Sequence, residues 1–167
     1  ENETGSSPLI RSLTSIAQNI RARAADILAC MSFSDPKIVE HITFAGAVEP
    51  LVQILWKGTF GLEVTLAASV LNNLAFNNPQ NCASIIKAGA LPRLVQLLKE
   101  DQPAVKAASV LARLCMSNEV AIEAVELGAI ESLTQLLWRP YPDRSSHYVQ
   151  IEKTAEVKDV GLKLNPN

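Results

Sequence analysis

One block of residues occurs three times in the chain, and this repetition constrains the fold more than any other feature. It reads Ala45-Gly46-Ala47-Val48-Glu49-Pro50-Leu51-Val52-Gln53-Ile54-Leu55, then Ala88-Gly89-Ala90-Leu91-Pro92-Arg93-Leu94-Val95-Gln96-Leu97-Leu98, then Leu127-Gly128-Ala129-Ile130-Glu131-Ser132-Leu133-Thr134-Gln135-Leu136-Leu137. A second block keeps the same phase: Ala24-Ala25-Asp26-Ile27-Leu28-Ala29-Cys30-Met31, Ala67-Ala68-Ser69-Val70-Leu71-Asn72-Asn73-Leu74 and Ala107-Ala108-Ser109-Val110-Leu111-Ala112-Arg113-Leu114. Both return after roughly 40 residues, so each repeat is one supersecondary unit. Such a unit cannot bury its apolar face alone; stacked neighbours bury a continuous core. The first interval is longer because of residues around Gly58-Thr59-Phe60-Gly61, which belong in a loop.

Within each repeat the signals predict three helices. The first opens at Ser34-Asp35-Pro36, Asn78-Pro79 or Ser117-Asn118-Glu119. There a polar side chain can accept from free helical N–H groups, and a proline fits the first turn. It stops at Gly46, Gly89 or Gly128, where glycine permits a positive φ and is expected to let the second helix pack close to the first. The second carries Leu51, Ile54 and Leu55 at three-four spacing. The third is the longest, roughly residues 63–76 and 103–116, with a stripe such as Leu66, Val70, Leu71 and Leu74.

Composition agrees with a helical core. Hydrophobic residues make up 48% of the chain and aromatics only 5%, so Ala, Leu, Val and Ile must fill the interior. Ala and Leu lose little side-chain freedom in a helix. The net charge of −2 leaves no basic surplus to draw the whole chain onto nucleic acid or an anionic membrane. Cys30, Cys82 and Cys115 are odd in number and lack paired spacing, which points to small buried residues in a reducing compartment, cytosol or nucleus. No apolar run approaches the ~18 residues of a membrane span. The start, Glu1-Asn2-Glu3-Thr4-Gly5, is too polar for a signal peptide, and opening without Met points to a segment of a longer or processed protein.

On these residues the chain resembles the armadillo-repeat family. The glycine-centred second-helix block and the Ala-Ala-x-x-Leu-x-Asn-Leu third-helix block both match, and the resemblance covers about residues 8–138. HEAT repeats share the period but usually have two helices and lack this glycine junction. The resemblance implies an all-α, right-handed superhelical solenoid of three-helix repeats. The expected organisation is a disordered stretch 1–6, a partial repeat 7–32, repeats 34–76 and 78–116, a partial repeat 118–138, and an extended or mobile tail 139–167. Pro140 and Pro142 forbid a regular helix at the start of that tail.

The resemblance also implies a function. Armadillo arrays bind extended segments of partner proteins along a concave groove of third helices, where a repeated asparagine offers its amide to the partner's backbone. That position is Asn73 here, with Cys30 and Arg113 in the flanking repeats. One turn earlier, often Trp in importin- or catenin-like arrays, stand Asp26, Ser69 and Ser109; one turn later come Ser34, Asn77 and Ser117. Without a Trp/Asn ladder, recognition of basic import signals is not expected, whereas generic protein or peptide binding is. Arg113 is the row's strongest candidate, since a guanidinium recognises carboxylates or phosphates.

Nothing else points to chemistry. His41 and His147 lie apart, without neighbours at metal-ligand spacing. Lys57-Gly58-Thr59-Phe60-Gly61 lacks the pattern of a phosphate loop. The expectation is therefore a scaffold and not an enzyme, with no cofactor, metal, small-molecule substrate or nucleic acid. Trp56 and Trp138 share one position, directly after the second helix, and read as packing between repeats or as aromatic anchors. The last repeat shows no third helix to cover Leu133, Leu136, Leu137 and Trp138. Self-association through that C-terminal end, or a regulatory role within a larger protein that carries an enzyme elsewhere, is the rival expectation.

Overall fold

The computed structural model describes residues 7–58 and 61–138. Contacts divide the chain into two units, Glu1–Leu137 and Trp138–Asn167. All described residues except Trp138 belong to the first. The expected disordered stretch 1–6 and tail 139–167 lie outside the described residues.

The described residues form ten helices and no strand. In chain order they are α1 (Pro8–Ser12), α2 (Gln18–Ser34), α3 (Pro36–Phe44), α4 (Val48–Lys57), α5 (Gly61–Ala75), α6 (Pro79–Lys87), α7 (Ala90–Leu97), α8 (Ala104–Leu114), α9 (Asn118–Glu126) and α10 (Ala129–Trp138). Helices α3–α5 and α6–α8 each run first, second, third; α1–α2 supply the second and third helices of an earlier unit, and α9–α10 the first and second of a later one.

The chain's own punctuation makes these elements. Asp35 accepts a hydrogen bond from the Lys37 backbone N–H at 2.8 Å, and Asn78 accepts from that of Asn81 at 3.0 Å, each followed by a proline in the first turn. Ser117 occupies the same position before α9 without a side-chain cap bond. The junction glycines are left-handed: φ is +78° at Gly46 and Gly89 and +83° at Gly128. Close packing is not what requires them. A Cβ at Gly46 or Gly89 would meet nothing within 4 Å, so the backbone conformation alone selects glycine.

The core runs through the stack without interruption. Leu51 and Leu55 from α4, Leu71 and Leu74 from α5, Leu94 and Leu97 from α7 and Leu114 from α8 belong to one cluster. The alanine pairs sit where the third helices meet the core: Ala25, Ala67, Ala68 and Ala107 are completely buried. Their small side chains let α2 stack on α5 and α5 on α8. Position within the stack decides what an apolar residue sees. Val70 and Val110 are 0% exposed, each facing a preceding third helix, whereas the equivalent Ile27 on α2 is 47% exposed. No single helix among the described residues is long and apolar enough to cross a membrane.

Candidate functional site: the open face of the third helices

The stack leaves one face of α2, α5 and α8 open. Asp26 and Cys30, Ser69 and Asn73, and Ser109 and Arg113 stand four residues apart on their helices, and such pairs lie on one helical face. Asp26 and Cys30 are exposed; Ser69, Asn73, Ser109 and Arg113 are half-buried. Asn77 and Ser117 are exposed just beyond the ends of α5 and α8, and Asn77 adopts a positive φ of 50°. Exposure at Cys30 corrects the expectation of three buried thiols: α2 has no preceding third helix among the described residues to cover it. Cys82 and Cys115 are half-buried, and burial pushes both thiols above their usual range, the Arg113 charge opposing the shift at Cys82.

Two residues of the row tie the repeats together. The Asn73 amide nitrogen donates to the Ala29 carbonyl at 3.3 Å and to Ser32 Oγ at 3.0 Å, both on α2. Its amide nitrogen is therefore engaged within the chain. Arg113 donates from Nε to Asn72 Oδ1 at 2.8 Å, and its guanidinium carbon lies 4.5 Å from the Phe76 ring centre, both on α5 or just past it. Ser69 and Ser109 donate their hydroxyls down their own helices, to Thr65 and Val105 carbonyls, at 2.9 Å each. Each hydroxyl oxygen, having donated its proton, keeps lone pairs able to accept.

Sequence reasoning missed part of this surface. Phe33, Phe76 and Met116 are 84%, 56% and 85% exposed, one at the end of each third helix, so they line an apolar row beside the polar one. The signal was available: each stands two residues after the final Met or Leu of the repeated third-helix block. No comparable signal marks Arg21 and Glu63. Glu63 is 1% exposed on α5 and accepts from Arg21 Nε on α2 at 2.5 Å, and the same guanidinium donates to the Ser15 carbonyl at 2.7 Å. The positions equivalent to Glu63 hold Ile20 and Pro103, so the pair occurs once and has no periodicity to betray it.

Trp56, Trp138 and His41 lie on other elements, α4, α10 and α3. Trp56 is half-exposed and donates from Nε1 to the Gly89 carbonyl at 3.2 Å, a link from one repeat to the junction of the next. Trp138 is exposed. His41 is exposed, its Nδ1 2.7 Å from the Lys37 carbonyl, and it borders an apolar cavity of about 330 Å³ between α1, α2 and α3, lined by Leu9, Ile10, Leu28 and Ile42. Among the described residues no three His, Cys, Asp or Glu side chains gather as a metal site would require.

Comparison with known proteins bears on this surface. Residues 78–115 match the Armadillo/beta-catenin-like repeat family. No curated protein sequence is similar enough to match the chain. Among solved structures, an engineered protein is 30% identical with a TM-score of 0.73, over 83% of this chain and 57% of its own. A designed armadillo repeat protein in complex with the peptide (KR)4 is 26% identical with a TM-score of 0.69, over 80% of this chain and 57% of its own. ARO, an armadillo repeats only protein from Plasmodium falciparum, is 26% identical with a TM-score of 0.67, over 74% of this chain and 53% of its own. The chain thus spans little more than half the length of these relatives.

Proposed function

The chain is an array of armadillo repeats, and we propose that it is a protein-interaction scaffold holding an extended segment of a partner along the open face of α2, α5 and α8. One observation carries this reading: three stacked helices present the same two rows in phase, polar (Asp26/Cys30, Ser69/Asn73, Ser109/Arg113) and apolar (Phe33, Phe76, Met116). Packed helices lie about 8–10 Å apart. An extended chain rises ~3.3 Å per residue, so about two to three of its residues would pass each repeat. A surface periodic in this way suits a strand-like ligand. That a designed relative was solved with a bound peptide supports the same use of the fold. The role is recognition, not catalysis. The unpaired thiols at Cys30, Cys82 and Cys115 fit a reducing compartment, cytosol or nucleus.

The test is a selection of random peptides against the whole chain, repeated with a bulky side chain in the middle of the face. Ser109→Tyr should abolish capture of the selected peptides, while Glu123→Tyr on α9 should not. Equal capture by both variants would remove the groove from the account.

A second reading has its own observation. Leu137 is 83% exposed, whereas the equivalent Leu55 and Leu98, beneath their third helices, are 0% exposed. An end-on association between two copies would cover this residue and Ile130. Light scattering that gives a monomer at all concentrations would eliminate it.

A further inference from the structure

Resting on the groove reading, we infer that the seam between α5 and α8 selects acidic segments, with Arg113 as the group that grips a carboxylate. The guanidinium is held at two points: Nε is engaged by Asn72 at 2.8 Å, and Cζ lies over the Phe76 ring, 4.5 Å from its centre. This arrangement fixes the fork before any ligand arrives. Among the described residues neither terminal nitrogen of Arg113 makes a hydrogen bond, and the residue remains half-exposed. Those nitrogens are the donors that pair with a carboxylate, and a pre-positioned fork loses less freedom on binding than a mobile side chain.

Apart from Glu63, which Arg21 neutralises, the charged residues on the two helices of the seam are both cationic, Lys106 and Arg113. Lys106 is exposed on α8 and precedes Arg113 by two turns on the same side of the helix, about 10.5 Å along its axis. With Arg21 and Glu63 neutralising each other, the charged residues left on the third helices are Arg23, Lys106 and Arg113 against Asp26 alone. The chain as a whole is −2, so this surface is locally basic within an acidic protein. Between the two cations Ser109 offers acceptors for backbone N–H groups, and Phe76 and Met116 offer apolar contact beside them. A segment that alternates carboxylates with apolar side chains matches all of these groups. The basic peptide (KR)4, bound by the designed relative, would meet like charge at both ends of the seam.

The experiment uses the full chain and fluorescence anisotropy with labelled probes: (KR)4, peptides of the same length alternating Glu with Leu or Gln with Leu, and an oligothymidylate of that length. The Glu/Leu peptide should bind most tightly and weaken as salt rises. Arg113→Gln should weaken it by about tenfold, and Arg113→Lys should restore part of the loss, since the charge returns without the fork. Unchanged folding of each variant is verified by circular dichroism, and Ser109→Tyr should remove the binding altogether. If (KR)4, the Gln/Leu peptide or the oligothymidylate binds as tightly and is lost in Ser109→Tyr, the acidic preference is overturned while the groove stands. If no peptide responds to Ser109→Tyr, both readings fall.

Discussion

Arg21 on α2 and Glu63 on α5, 42 residues apart in sequence, form an ion pair at 2.5 Å with the carboxylate almost wholly removed from solvent. The pair crosses a repeat boundary that is otherwise held by apolar packing and by Asn73. Breaking a buried pair from one side leaves a charge without compensation. Arg21→Met is expected to cost about 3 kcal/mol or more, whereas Arg21→Met with Glu63→Met should recover most of that loss. Urea denaturation of the two variants measures both. Equal destabilisation would mean that the pair acts by packing and not by charge.

The junction glycines give a second expectation. At Gly89 the surroundings are open and φ is +78°, so any penalty is conformational. Gly89→Val should cost about 2 kcal/mol, and Gly89→Asn distinctly less, because asparagine tolerates the left-handed region. Gly58 is the opposite case. Its φ is ordinary, but a Cβ there would lie 2.6 Å from the Ile54 carbonyl oxygen and 2.6 Å from Val64 Cγ2. Gly58→Ala should therefore cost about 1–3 kcal/mol through overpacking. Thermal melts of the three variants check the order.

Much of this architecture is legible in the sequence. Repetition of the Gly46, Gly89 and Gly128 block sets the phase of the second helices and the alanine-pair block that of the third, and Asp35-Pro36 and Asn78-Pro79 mark where the first helices begin. The face was legible too, since Asp26, Ser69 and Ser109 recur at the repeat period. What could not be read was how each side chain on that face is used. Asn73 and Arg113 were expected to look outward; stacking turns the Asn73 donor and the Arg113 Nε toward the preceding helix. A one-dimensional pattern gives the angle of a residue on its own helix but not the distance to the next, and bonds between repeats depend on that distance. For the same reason Cys30 reads like its buried-looking neighbours although nothing described stacks over it.

Thiol reactivity follows from that difference. Burial raises the Cys82 and Cys115 thiols, which lowers their thiolate fraction near neutral pH, while Cys30 is exposed. Brief iodoacetamide treatment of the folded chain should modify Cys30 first, with Cys82 and Cys115 reacting more slowly and catching up as pH rises or on unfolding. Peptide mass mapping reads the order. Simultaneous modification of all three would contradict the burial described at α6 and α8.

The central claim is that the open face of the third helices receives an extended segment. Amide chemical shifts of the full chain, titrated with a peptide selected against it, test this most directly. The account expects perturbations at Asp26, Cys30, Ser69, Asn73, Ser109 and Arg113 and at Phe33, Phe76 and Met116, in one stripe across α2, α5 and α8. Shifts gathered instead on α9 and α10, with that stripe unmoved, would contradict it.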